Sequence, residues 1–454
     1  MGRRTPRSRT RTIDTLMKRI NIGVVFCCLI ALGAAAQRPL TMEEAISISL
    51  ANNYDIRLSR NDSSLAALDY AFANYAFYPR LNANGGITFN NNNQKQVLAD
   101  GTKKESSGIK STATTASLNL NWTLFDGFKM FITRRRLGQM LELGELQIKA
   151  QVVNSVAEVM RVYYDISRQQ QQLKAVEEQM VLSSERLKLA QYKFDVGTGT
   201  KSDVLQAQVD YNAQRSQQLT QQTNILKLKE QLNNLLALAD ENNFTVLDTI
   251  PLNTDITLDS IRSNITATNP ELLLAQKSLD VSALLLKERQ AERFPTVSFN
   301  SAYNFNRSNN NSVINPFQPL FNQNHGFNYG FTATVPIFNG YITRRNIRAA
   351  ELDIEYQELL YQRSAAQINT NVATAYRDYS LYKQTLELEE NNIKLVRENL
   401  FIAQERYRIG VSTFLEMRTA EQSLADAANR LIQARYNTKV AEIELLRLRG
   451  DLIK

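Results

Sequence analysis

The chain is written twice. Leu124-Phe125-Asp126-Gly127-Phe128 returns as Ile337-Phe338-Asn339-Gly340-Tyr341, and Phe194-Asp195-Val196-Gly197 returns as Tyr407-Arg408-Ile409-Gly410. The glycines are equally spaced in both copies, 197 − 127 = 70 and 410 − 340 = 70, so the offset of 340 − 127 = 213 holds without a gap. Upstream, Tyr78-Pro79-Arg80-Leu81 matches Phe294-Pro295-Thr296-Val297 at 294 − 78 = 216, and Leu40-Thr41-Met42-Glu43 matches Ile256-Thr257-Leu258-Asp259 at the same offset. Two segments that accept no insertion over such a stretch describe a structure whose length matters. Ducts and scaffolds need that; enzymes rarely do.

Before the repeat, the first residues read as a leader. Met17-Lys18-Arg19 is a charged start, Ile20 to Ala31 is apolar but too short to span a bilayer, and Ala34-Ala35-Ala36 offers a cleavage site before Gln37. Residues 1–36 are therefore expected to be a signal peptide, translated from Met1 or Met17. That segment carries Arg3, Arg4, Arg7, Arg9, Arg11, Lys18 and Arg19 against Asp14, a net of 7 − 1 = +6. The whole chain is +8, which leaves 8 − 6 = +2 for the rest, so the high pI gives no case for nucleic acid. Cys27 and Cys28, the only cysteines, leave with the leader, and with them any disulfide, thiol nucleophile or thiolate metal site.

The long segment after Gly127 carries Val152, Val159, Ile166, Leu173, Met180, Leu187 and Phe194 at seven-residue spacing, repeated as Ala365, Val372, Tyr379, Leu386, Ile393, Leu400 and Tyr407. A second column, Ala175, Leu182, Leu189 and Val196, returns as Leu388, Leu395, Ile402 and Ile409. The columns are two residues apart, about 200° around a helix. A coiled-coil seam puts its apolar positions on one stripe; two nearly opposite stripes predict a helix gripped on both flanks, one stave in a single-layer wall. The polar faces between them, such as Arg168 to Gln172, fit either a solvated surface or a water-lined interior. Each seventy-residue arm would be about 105 Å long. Its partner is two shorter helices in line: Asp55 toward Pro79 with Thr200 to Leu238, then Glu271 to Phe294 with Thr413 to Arg449.

Between the helices, apolar residues alternate with Asn, Ser, Thr and Gly. Leu118, Leu120, Trp122 and Leu124 do so, as do Phe327 to Ile337, Val297 to Phe305, and Leu81 to Phe89. Period two with small polar partners predicts strands with one apolar face, about ten residues each, suited to a tilted membrane span. Asn-rich loops, Asn90 to Thr114 and Asn306 to His325, join each pair. Four strands cannot close a barrel, and open edges are not tolerated in lipid, so the strands imply an oligomer that pools them.

On the duplication, the Pro79 and Pro295 junctions, the Asp-Gly and Asn-Gly returns and the hairpin tips, the chain resembles the TolC-like outer-membrane efflux family over nearly all the sequence after the leader. The resemblance implies an α+β membrane protein: a homotrimer that pools twelve strands in an outer-membrane barrel and twelve staves in a periplasmic tunnel. It implies residence in the outer membrane of a Gram-negative bacterium. Implied partners are outer-membrane lipid, a periplasmic adaptor (membrane fusion) protein and an inner-membrane pump of RND or ABC type, with no nucleic acid. The copies are expected at 37–238, with a hairpin at 80–125, and at 256–454, with a hairpin at 295–338, joined by a linker at 239–255. By resemblance, adaptor contacts fall on the tips at Val196, Gly197, Ile409 and Gly410, and the periplasmic gate on Asp203, Tyr407 and the acidic ring residue Glu416. Ser412 stands where the family has a tip arginine and Thr419 where it has a second acidic ring, leaving Lys201, Arg408 and Arg418 as candidates for the lock. Tyr407 also reads as the last apolar residue of its column, and Glu416 as a charge favourable at a helix start.

The expected function is an exit duct of an efflux or type I secretion system; the alternative is a soluble periplasmic coiled-coil scaffold. His325 is the only histidine and stands in an Asn-rich stretch, and no H-E-x-x-H, P-loop or G-x-S-x-G occurs. No catalytic residue, metal site or cofactor is expected.

Overall fold

The computed structural model describes residue 2 and residues 38–238, 244–253, 255–315 and 317–452. Apart from residue 2, the expected leader lies outside the described residues. The first copy runs β1 (Arg38–Leu40), α1 (Met42–Asn52), α2 (Tyr54–Phe72), a 3-10 turn (Ala73–Phe77), β2 (Arg80–Val97), β3 (Lys103–Phe125), α3 (Lys129–Asp195), α4 (Lys201–Leu236) and β4 (Phe244–Val246). The second runs α5 (Leu258–Arg262), α6 (Ile265–Thr268), α7 (Pro270–Ala291), β5 (Thr296–Asn310), β6 (Phe321–Thr334), α8 (Ile342–Arg408) and α9 (Phe414–Arg449).

The duplication is visible in the caps. α3 and α8 are both 67 residues, about 100 Å of helix. Each begins after a non-glycine residue in the left-handed region, Phe128 at φ 67° and Tyr341 at φ 66°. Gly127, just before, has φ 73°, and a Cβ there would stand 2.6 Å from the Ala291 carbonyl oxygen, so glycine is required. Asn53 and Asn269 (53 + 216 = 269) occupy matching N-caps. Each accepts from its own helix and donates its side-chain amide to the end of the return helix below. Asn53 Nδ2 reaches the Leu235 carbonyl at 2.8 Å, and Asn269 Nδ2 the Leu448 carbonyl at 2.8 Å. One asparagine thus stitches the two short helices of each copy in line beside the long one.

The helices form a layer. α3 is flanked by α2 and α4 on one side and by α7 and α9 on the other; α8 packs against α7 and α9. Val372, Tyr379, Leu386, Ile393, Leu400 and Tyr407 are all buried, as their spacing requires. Burial of such side chains contributes roughly 1.5–3 kcal/mol each. α3 differs from expectation. Its best-buried column below the middle is Gln169, Val176, Ser183 and Ala190, because a helix gripped on both flanks needs small or hydrogen-bonding groups at the closest approach as well as large apolar ones.

A core closes around the middle of the long helices. Tyr163 donates to the Leu40 carbonyl at 2.8 Å and accepts from Leu247 N at 3.3 Å, and Tyr379 donates to the Asn253 carbonyl at 2.7 Å. The expected linker 239–255 also holds structure: β4 pairs in parallel with β1 beside the Tyr163 phenol, and Asn253 meets the Tyr379 phenol.

The four long strands form an antiparallel sheet in the order β2-β3-β5-β6, with β2 and β6 at open edges. They have 18, 23, 15 and 14 residues, more than the ~9–11 that cross a bilayer. Much of the expected Asn-rich loops is therefore ladder, from Asn90 paired with Ser111 to Val97 paired with Lys103. A backbone ladder needs no apolar face once it leaves lipid. A register shift between Thr123 and Phe125 brings Phe125 opposite Val297, next to the Trp122–Phe299 pair. β6 ends at Thr334, short of the expected Ile337, since Pro336 offers no backbone donor.

Candidate functional site: the helical tips

The end of the helices farthest from the sheet is built from two similar turns. In the first, Val196 closes α3, Gly197 takes φ 76°, and Thr200 caps α4. Asp203 completes a capping box: its N–H donates to Thr200 Oγ1 at 3.2 Å, and its carboxylate accepts from Thr200 N at 3.4 Å. In the second, Ile409 closes α8, Gly410 takes φ 81°, and Thr413 caps α9 by accepting from Glu416 N at 3.2 Å. Val196, Ile409, Val411 and Leu415 stand exposed around these turns. These four apolar side chains rim the end of the helices.

The expected gate residues sit in different settings. Glu416 is exposed on the first turn of α9. Tyr407 is buried, edge-on to Phe414 with ring centroids 6.3 Å apart, with Lys193 Nζ 3.9 Å above its ring and donating to its carbonyl at 2.9 Å. Burial raises the Tyr407 phenol, and the nearby Asp203 carboxylate raises it further. Asp203 thus acts on Tyr407 through its charge, while its own hydrogen bonds go to Thr200. Of the three lock candidates, Lys201 lies over the Phe194 ring at 5.3 Å and Arg408 makes an exposed pair with Glu405.

Arg418 alone joins a larger arrangement that sequence reasoning did not find. Arg186 of α3, its side chain 4% exposed, donates to Glu421 of α9 at 2.6 Å and to Asp210 of α4 at 2.8 Å. Arg418 completes a fork onto both oxygens of Asp210 at 2.9 and 3.1 Å. Four charges so tie three helices around a cleft of ≈ 190 Å³. Burial raises the Glu421 carboxyl, Arg186 opposes that, and Asp210 adds to it. The only sequence signal was a charge beside the second apolar column, with partners 24 and 235 residues away.

Among the described residues no cluster of His, Cys, Asp or Glu could hold a metal ion, and no helix is long and apolar enough to cross a membrane.

The family profile described as "Outer membrane efflux protein" matches residues 45–238 and 261–451. The alkaline protease secretion protein AprF of Pseudomonas aeruginosa is 22% identical over 417 residues, covering 88% of this chain and 83% of that protein. The cation efflux system protein CusC of Escherichia coli is 23% identical over 413 residues, covering 88% of this chain and 84% of that protein. Among solved structures, the outer membrane protein VceC of Vibrio cholerae superposes with a TM-score of 0.74 at 16% identity, over 90% of this chain and 96% of that one.

Proposed function

The chain belongs to the outer membrane efflux protein family and is an outer-membrane channel, an exit duct, and from that premise we propose how its parts work. Its relatives are transport proteins. It assembles as a homotrimer that pools the strands into one barrel and the helices into one tunnel. The observation that carries this is the matching of open edges. The sheet ends at β2 and β6, and the wall ends at the flanks of α2 and α4 on one side and of α8 on the other. Both layers are open on the same two sides, so one rotation about an axis closes both. Unpaired strand edges in lipid cost several kcal/mol per group, which makes closure obligatory there.

The tips bearing Val196, Gly197, Ile409 and Gly410 receive a periplasmic adaptor, and the adaptor joins the channel to an inner-membrane pump. The exposed apolar rim supports this reading. Glu416 lines the mouth. In a trimer three carboxylates converge there, attract cations and bind multivalent ones, while the Thr419 level adds no charge. The Arg186–Asp210–Arg418–Glu421 tie holds the second hairpin, α8–α9, against the first and keeps the mouth narrow. The two relatives named above handle a protease and cations by name, so the shared fold does not set the cargo.

Single-channel recording in a planar bilayer tests the gate. Glu416→Gln should reduce cation preference and relieve trivalent-cation block, and Thr419→Ala should change neither. Unaltered preference and block in Glu416→Gln would leave Glu416 as a helix-start charge and put the constriction elsewhere.

A further inference from the structure

Just beneath the sheet, α2, α3 and α7 enclose a cleft of ≈ 780 Å³ lined by Tyr70, Phe131, Arg134, Arg135, Gly138 and Lys287. Arg134, Arg135 and Lys287 are exposed, and among the described residues none of them meets a carboxylate. Their neighbours do. Arg136 is held by Glu288 at 2.7 Å and Lys129 by Glu292 at 3.0 Å. The one acid in the cleft, Glu142, is already matched by Lys277 at 2.6 Å. Three cations therefore converge on an open space with no counter-charge from the protein. Gly138 keeps that space open, since a Cβ there would lie 3.2 Å from the Tyr70 ring.

The upper lip of the cleft is apolar and continues the lipid-facing side of the strands. Trp122 Nε1 donates to the Phe77 carbonyl at 2.8 Å, and Phe77 packs on Phe131 with centroids 5.0 Å apart. From β3 a second file, Phe125–Phe128 at 5.3 Å and Phe128–Phe131 at 6.2 Å, arrives at the same ring. Aromatic side chains gather at the headgroup level of a membrane. A guanidinium fork matches a phosphate in shape and charge.

We propose that this cleft binds the phosphate headgroup of an anionic glycerophospholipid in the leaflet on the helix side of the barrel, with the acyl chains lying along Phe131, Phe128 and Phe77. A free phosphate would fit the cations and have no use for the aromatic lip, so the occupant is a lipid. The start of α8 carries an exposed pair of its own, Arg344 and Arg345, in an Ile-Thr-Arg-Arg run that lies 342 − 132 = 210 residues from Ile132-Thr133-Arg134-Arg135, about one helical turn out of step with the repeat. The second copy thus keeps its own basic pair near the membrane boundary. This inference rests on the reading that the sheet spans the outer membrane.

The test is native mass spectrometry of the detergent-extracted protein titrated with dioleoyl phosphatidylglycerol, and separately with dioleoyl phosphatidylcholine. Wild type should retain phosphatidylglycerol in preference. Arg134→Gln/Arg135→Gln/Lys287→Gln should lose that preference by about fivefold per charge removed. Gly138→Leu, which keeps every charge and fills the cleft, should lose it too. Should the triple variant not assemble, Lys287→Gln alone should still show the fivefold loss. Equal retention of the two lipids by wild type, or unchanged preference in the charge variants, would overturn the proposal. Full retention by Gly138→Leu would also overturn it, by making the attraction diffuse over the basic surface. Displacement by millimolar inorganic phosphate would mean that the site takes a free anion. A protein monodisperse without detergent would instead defeat the membrane reading beneath it.

Discussion

The two long helices carry the same apolar column in different surroundings. On α3, Ala175, Leu182 and Leu189 are half-buried in a helix flanked on both sides. On α8 the matching Leu388, Leu395 and Ile402 are bare, at 70%, 66% and 48% exposure. The outer flank of α4 is bare as well, with Leu205, Val209, Leu219 and Leu226 exposed. Within the chain, α3 meets α9; in the proposed trimer, the repeat brings α8 to the neighbour's α4. A duplicated wall thus records its missing contact in its own interior. The seams also differ in chemistry. The ion tie at Arg186 and Glu421 maps to Asn399 (186 + 213 = 399) and Gln208 (421 − 213 = 208), which are neutral. The seam inside each chain is pinned by charge, and the seam proposed between chains offers apolar side chains in its place.

The largest effect that would break this comparison is a charge on the bare column. Leu395→Asp should abolish the trimer, since each of three seams loses roughly 2 kcal/mol of burial and gains a desolvated charge. Light scattering of the detergent-extracted protein measures it, with circular dichroism expected to show unchanged helix content. Its counterpart Leu182→Asp should instead lower the thermal stability of the chain itself. A Leu395→Asp trimer would mean the column is merely solvated.

Next in size is the tie. Arg186→Gln strands the buried Glu421 carboxylate, while Asp210 keeps its fork from Arg418, and should destabilise the tip by about 3–5 kcal/mol, read as earlier proteolysis between α3 and α4. Asn399→Ala, its image on the other seam, should cost about 0–1 kcal/mol, as other exposed polar sites do. Equal losses would erase the claimed difference between seams.

The smallest effect sharpens the electrostatics. Glu421 has its folded pKa raised, chiefly by burial. Its favourable contribution is therefore full below the ordinary glutamate value of about 4.3 and is lost as pH rises through the raised one. The melting temperature of wild type minus that of Glu421→Gln should fall across that window and level off above it. A difference that grows with pH would show that attraction to Arg186 outweighs the desolvation of Glu421.

Much of this was legible in the residues. The seven-residue columns gave the helices and their length, Pro79 and Pro295 marked the strand starts, and alternation at Leu118 to Trp122 marked the lipid face. What was hidden depends on distant partners or on backbone geometry. A three-residue strand such as Phe244–Val246 has no period to read, and its pairing with Arg38–Leu40 spans the whole first copy. The shift at Leu124 changes register without changing composition. The Arg186 tie needs Asp210 and Glu421 brought in from two other helices, and nothing local to Arg186 announces either. Of the expected gate, Tyr407 is buried with Asp203 close enough to act on its phenol, whereas the proposed role of Glu416 depends on copies of itself.

A cross-link between the bare flanks tests the central claim most directly. Every native cysteine is at 27 or 28, within the segment expected to be removed, so introduced thiols report alone. Gln208→Cys with Asn399→Cys, treated with a short bismaleimide in intact membranes, should give a covalent ladder that ends at three copies. Arg168→Cys with Gln433→Cys, whose native side chains lie 2.7 Å apart within one chain, should give only an intrachain bridge. If the intrachain pair reacts while Gln208→Cys/Asn399→Cys remains monomeric, or if its ladder runs past three copies, the wall does not close as the duplication requires.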